Sequence, residues 1–200
     1  MLVIAYHTIM STHGFWLPND PRGSNSSEVR APNIQPFGPA TLVTHTRRSV
    51  AGRPHDRKKR LAAKEAMVYP EVSLTGRQAL SVGNGFGEQV RISGYKIYAC
   101  CILSQHIHLV IGRHHYDIEQ VGRLLRQKAT AHLLADGLHP FADQRDENGR
   151  LPSVWGQDFR KIFLFTPDEV RDRIRYVEDN PLKEGKPRQR WSFVVPYIEP

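Results

Sequence analysis

Between Tyr95 and Ile111 the chain holds two apolar runs, Tyr95 to Ile102 and His106 to Ile111, parted only by Leu103-Ser104-Gln105. Each run has the length of a strand, and so short a gap turns the chain back on itself, so the stretch predicts an antiparallel hairpin. A strand sends side chains two apart to the same side of the sheet. In His106-Ile107-His108-Leu109-Val110 the two imidazoles therefore stand side by side. Alone, a His-x-His pair says little, because histidines on strands are more often surface or satisfied core residues. The rest of the chain has to supply sheet partners for the hairpin and neighbours for the pair.

Residues 3–12, rich in β-branched and aromatic types, predict a first strand that ends at His13-Gly14, before the turn-rich Leu17 to Gly23. From Ser24 to about Pro54 the periodicity fails, interrupted by Pro32, Pro36, Pro39 and Pro54. The stretch 24–70 thus reads as a loop-rich insertion without a core of its own. It carries a basic cluster, Arg47, Arg48, Arg53, Arg57, Lys58, Lys59 and Arg60, which is a solvated face or a set of phosphate contacts. Thr75 can cap a helix running through Val82, Phe86 and Val90 to about Gly94. Gly83, Gly85 and Gly87 weaken its centre by roughly 1 kcal/mol each relative to alanine.

After the hairpin, Asp117 opens a helix with Ile118, Val121, Leu124, Leu125, Leu133 and Leu134 at helical intervals, and Gly137 stops it. Val154-Trp155-Gly156 and Phe159 to Phe165 predict another strand. Thr166-Pro167-Asp168-Glu169 combines a cap, a proline at the first helical position and an acid three residues after the cap, a capping box. Val170, Ile174 and Val177 give this last helix its buried stripe, and Asn180-Pro181 ends it. The tail at about 186–200 is basic and then apolar and extended, and is expected to lie along the sheet. The order strand, helix, strand, strand, helix, strand, helix predicts an α+β fold: a ferredoxin-like split βαβ antiparallel sheet with an added C-terminal helix, in one domain spanning 1–200.

The chain carries 28 Lys plus Arg against 20 Asp plus Glu, a net charge of +8 and a pI near 9.7. That is the footprint of a polyanion binder, and nucleic acid is the commonest such partner. Cys100 and Cys101 are adjacent in an apolar run, which excludes a disulfide framework and a cysteine zinc site. The N-terminus turns polar after five residues, and no apolar run is long enough to span a bilayer. A cytoplasmic protein without a membrane partner is expected.

Tyr176 and Asn180 lie four apart on the last helix, on one face about a turn from each other. Two imidazoles and an amide oxygen make a site with open positions, and such mixed donors suit Mg²⁺, Mn²⁺ or a related divalent ion. Here a resemblance becomes specific. His106-Ile107-His108 resembles the histidine-hydrophobe-histidine motif of the HUH single-strand nucleases. The run from Tyr176 through Asn180-Pro181 to Lys183 and Gly185 resembles the tyrosine helix of the REP-associated tyrosine transposases, relatives of the single-tyrosine insertion-sequence transposases. Motifs and element order cover about residues 3–15 and 75–186. Where that family often has a proline and an acid or asparagine before the first histidine, this chain has Ser104 and Gln105.

The resemblance implies that His106, His108 and Asn180 hold the divalent metal. It implies that Tyr176 attacks a phosphodiester of single-stranded or hairpin DNA, leaving a 5′-phosphotyrosine and a free 3′-hydroxyl for rejoining. It also implies no nucleotide cofactor, and a monomer or a homodimer. Candidate DNA contacts are Arg22 with Trp16 in the first loop, Arg123, Arg126 and Lys128 on the long helix, and Arg173 and Arg175 beside the tyrosine. Two other readings stay open: a relative that holds DNA hairpins without cutting them, and an unrelated hydrolase in which the histidine pair directs water at a phosphodiester. His7 on the first strand could face the site, but is read in preference as a core or surface residue.

Overall fold

The computed structural model describes residues 2–18, 20, 28–29, 31–40 and 56–199, with Asp158 as backbone only. Four strands form one sheet: β1 (Ala5–Thr12), β2 (Ile97–Ile102), β3 (His106–Gly112) and β4 (Trp155–Leu164). Their order is β2-β3-β1-β4, and every pairing is antiparallel. This is the predicted split βαβ sheet: β1, first in the chain, lies inside between β3 and β4, while β2 is an edge strand.

Helices α2 (Gly76–Ser93) and α3 (Ile118–Ala135) cover one face, packing Val82, Phe86, Val121 and Leu125 onto Ile107, Leu109 and Ile111 of β3. Helix α4 (Pro167–Asp179) covers the other face with Val170 and Val177 against Ala5, Ala99, Cys101 and Val110. Alternation along β3 thus sorts its odd-numbered apolar side chains to α2 and α3, and its even-numbered positions, His108 and Val110, to α4. The predicted caps form. Thr75 and Thr166 each make a capping box with the residue three further on, and the Asp117 side chain accepts from Gln120 N.

The glycines of α2 have a packing reason. A Cβ at Gly85 would lie 2.7 Å from Ala129 Cα, one at Gly83 would fall inside the Trp191 ring, and one at Gly87 would meet Phe193 at 3.2 Å. Helix propensity is given up so that α2 can approach α3 on one side and the C-terminal tail on the other. The tail lies along the sheet as expected. Gln189 bonds both Ile102 N and Ile102 O with its amide, each at 2.7 Å, and Val194 makes a single parallel bridge to Ile97. Together they cover the open edge of β2, which would otherwise invite pairing with another chain.

The stretch read as a loop-rich insertion contains a helix, α1 (Arg57–Glu65), whose first turn is the basic run Arg57 to Arg60. Asp56 caps it by accepting from Lys59 N, while only Ala63 is buried. Its hydrophobic periodicity is therefore too weak to be read from sequence. Arg47, Arg48 and Arg53 lie outside the described residues. Among the described residues no helix is long and apolar enough to cross a membrane.

Candidate active site

The register between β1 and β3 builds the centre of the site. His7 stands opposite Val110 and Ile9 opposite His108, so His7 and His108 are diagonal neighbours on the α4 face. Their rings stack at 5.2 Å with a 20° interplanar angle, and His7 Nε2 lies 3.0 Å from His108 Nδ1. One ring donates that hydrogen bond and the other accepts it. Both imidazoles are buried, at 1% and 3% exposure. Burial pushes the pKa of His7 from 6.5 down to about 3, with the charges of Arg173 and Arg160 acting in the same direction. Burial likewise drives His108 well below its ordinary value, helped by His106, His7 and Lys183. Both rings are thus neutral at physiological pH, the form that ligates metals.

His106 sits edge-on to His108, with ring centroids 5.0 Å apart, and stacks on Phe15 at 5.4 Å. The side-by-side placement predicted for the pair holds. The engagement of His108 Nδ1 leaves its Nε2 as the nitrogen available to a ligand, the usual way a second imidazole fixes the ring of a first.

Helix α4 brings the tyrosine to this cluster. The Tyr176 ring lies 5.7 Å from both His7 and His108, and 38% of the residue is exposed. Lys183 Nζ lies 4.0 Å from its ring centroid and the Arg173 guanidinium 5.9 Å. A turn later, Asn180 is buried and its Nδ2 has no hydrogen-bond partner. The unpartnered atom is an N–H donor, which an acceptor such as a phosphate oxygen would satisfy, while the amide oxygen is the atom that could face a cation. Among the described residues no group of three His, Cys, Asp or Glu could hold a metal ion. Any third protein ligand beside His106 and His108 would have to come from a group such as the Asn180 amide. A donor set of two imidazoles and an amide oxygen suits a divalent ion that keeps positions for substrate oxygens.

Of the proposed DNA contacts, Arg173 is at the site. Arg175 is exposed and paired with Asp172 within α4. The three on α3 lie on the helix that packs against the opposite face of the sheet. Arg126 is committed to the fold. β4 spends residues 156–158 where β1 spends Ser11 alone, and the looped-out carbonyls of Gly156 and Gln157 accept from Arg126 Nη1 at 3.0 and 3.3 Å. Lys128 pairs with Glu88 at 3.0 Å, and Arg123 is exposed. Arg22 lies outside the described residues.

Two residues of the cluster were not singled out by sequence. His7 was read as core or surface. Its signal is the register, visible only once β1 is known to pair with β3. Lys183 stood within the tyrosine-helix run but was given no task there.

A cavity of about 540 Å³ opens beside the histidines and Tyr176. The end of β1, the loop after it, Glu28, Val29, Ala31, Asn33, Ile34 and Met67 to Tyr69, and the start of β4 line it.

No protein family matches the chain, and neither does any curated protein. Among solved structures, it is similar to a REP-associated tyrosine transposase bound to a REP hairpin, at 12% identity, covering 92% of this chain and 70% of that one, with a TM-score of 0.49. It is also similar to a candidate transposase from Deinococcus radiodurans R1, at 10% identity over 94% of this chain and 95% of that one, with a TM-score of 0.42. Neither likeness gives a role to any residue of this chain.

Proposed function

We propose that the chain cuts and rejoins single-stranded DNA, near hairpins, with Tyr176 as nucleophile. What carries the reading is one juxtaposition: a partly exposed phenol set 5.7 Å, ring to ring, from a buried and neutral histidine pair. The motifs that resemble the tyrosine transposases meet at this point, and the chain around them is strongly basic.

His106, His108 and Asn180 would hold the divalent ion, Mg²⁺ or Mn²⁺. When bound, such an ion supplies a Lewis acid for a phosphate oxygen. The chain's own groups do the rest. His7 fixes the ring of His108 through the bond at Nδ1 and keeps its other nitrogen turned to the ligand side. Tyr176 attacks phosphorus and gives up its phenolic proton to water, the bond to the 3′ oxygen breaks and that oxygen takes up a proton from water, so that a phosphotyrosine and a free 3′-hydroxyl result. Because one phosphoester replaces another, the reverse attack by a 3′-hydroxyl rejoins the strand without an energy source. Lys183 and Arg173, both against the phenol ring, place positive charge where the departing proton leaves negative charge.

A labelled hairpin oligonucleotide with single-stranded flanks, incubated with Mn²⁺, should become covalently attached to the protein. Tyr176→Phe should abolish the adduct, and its persistence in that variant would remove the assignment. Cleavage without an adduct would favour water as nucleophile. Binding without cleavage at any metal concentration would favour a hairpin-binding protein.

A further inference from the structure

The cutting reading needs the histidines and the tyrosine but leaves the adjoining cavity without a task. We propose that this cavity receives one unstacked nucleobase, that of a nucleotide flanking the scissile phosphate, and holds it against Trp16. The inference depends on the cutting reading only for which phosphate lies next to that base.

The size fits first. About 540 Å³ lies within the range of built small-molecule sites. Its wall contains a stacking platform. Trp16 keeps 37% of its surface exposed, its ring standing edge-on to Phe15 at 4.5 Å. Phe15, at 9% exposure, stacks in turn on His106 at 5.4 Å and 22°. An aromatic ladder therefore runs from the open cavity to the histidine pair, and its outermost rung is a tryptophan braced from behind. Such a ring presents a wide face at little cost in side-chain freedom, and every base has a π-face to set against it.

Position fits second. His106, His108 and Tyr176 line the same cavity, so a base lodged there belongs to a nucleotide whose phosphate is within reach of the nucleophile. Gln157 and Arg160 also line it, giving a polar edge to an otherwise mostly apolar space. Single-stranded substrate offers its bases at low cost, because no pairing has to be broken. Glu28, Val29, Ala31, Asn33, Ile34 and Met67 to Tyr69, which complete the wall, belong to the stretch that the transposase motifs do not cover. That part of the wall is therefore a feature of this chain's own insertion.

The test uses the full chain carrying Tyr176→Phe. Hairpin oligonucleotides with randomised single-stranded flanks are selected for binding. The tightest is rebuilt with 2-aminopurine, and separately with an abasic residue, at each flank position in turn. One position should show quenched fluorescence, and an abasic residue there alone should weaken binding by about 5- to 150-fold, the range for a single base–aromatic stack. Trp16→Leu, which keeps an apolar side chain but has no π-face, should remove both effects, and Trp16→Tyr should retain them. Equal sensitivity at all positions, or quenching that survives Trp16→Leu, overturns the proposal, as does failure to select any binder. On the unmodified oligonucleotide, adduct formation by the wild-type chain locates the cut, and a sensitive position remote from it also overturns the proposal. One sensitive position with no wild-type adduct sinks the nucleophile reading but leaves the base pocket. An adduct with no singled-out position does the reverse.

Discussion

Lowering the pH from about 7.5 to about 5 should destabilise the protein through its buried imidazole pair, before most carboxylates take up protons. In the unfolded chain His7 and His108 both protonate through the ordinary value of 6.5. In the folded chain burial holds His7 neutral down to about 3 and keeps His108 neutral well below its usual range. The unfolded state therefore binds more protons than the native state, so stability rises with pH in this window. It is fully present above 6.5 and is lost as the pH falls toward 3. For one such histidine the loss at pH 5 is RT ln(1 + 10^1.5), about 2 kcal/mol, with a slope approaching roughly 1.4 kcal/mol per pH unit. His108 acts in the same direction, so about 2 kcal/mol is a lower bound for the pair.

Urea denaturation at a series of pH values measures this directly. His7→Gln removes one titrating ring, and its slope between about pH 5 and 6 should be shallower than that of the wild type by about one proton, roughly 1.4 kcal/mol per pH unit. The variant should also be less stable near pH 7.5, because its amide has to replace the bond to His108. Equal slopes in the two proteins would refute the claim that His7 is held neutral by burial.

Gly83→Ala should detach the C-terminal tail. Alanine gains about 1 kcal/mol in the helix, but its methyl would occupy the Trp191 ring position, an overpacking that costs typically 1–3 kcal/mol; trypsin should then cut faster at Arg188 and Arg190, and a stabilised, equally protected protein would contradict the clearance argument. Arg126→Ala should cost about 1.5–3 kcal/mol, the value of hydrogen bonds from a charged donor, while leaving the salt dependence of DNA binding unchanged. In contrast, Arg173→Ala should reduce the slope of log affinity against log salt by about 0.7, the single-strand value for one phosphate contact. Filter binding at several salt concentrations separates the two arginines, and a similar slope change in both would remove the distinction between them.

Much of the sheet was legible because its signals are local. The hairpin of β2 and β3, the cap at Thr75, the capping box at Thr166 and the proline at the start of α4 depend on residues within a turn of one another. The strand order followed from the element order. What sequence could not give is what depends on register and on close approach. His7 enters the site because β1 pairs with β3 in one alignment, and a shift of one residue would turn it to the α2 and α3 face. Gly83 and Gly85 read as helix weaknesses until the ring and the backbone they admit are seen. Arg126 read as a DNA contact because the irregularity in β4 that needs it is a mismatch between two strands far apart in sequence.

The same asymmetry explains why the site lies where it does. Among the described residues, two long helices pack on one face of the sheet, whereas α4 is the helix packed on the other. Helix α4 packs over β2, β3 and the Ala5 end of β1, and leaves the Ile9–Thr12 end without a helix above it. A four-stranded sheet with half a face uncovered would expose apolar surface unless something roofed it. Glu28, Val29, Ala31, Asn33, Ile34 and Met67 to Tyr69 do so at a distance, lining a cavity instead of packing flat. Tyr176 and His108 stand where α4 gives way to that cavity, so the tyrosine is held by the helix on one side and opens onto the cavity on the other. The stretch that looked least structured in the sequence thereby becomes the wall that decides what can lie against the tyrosine.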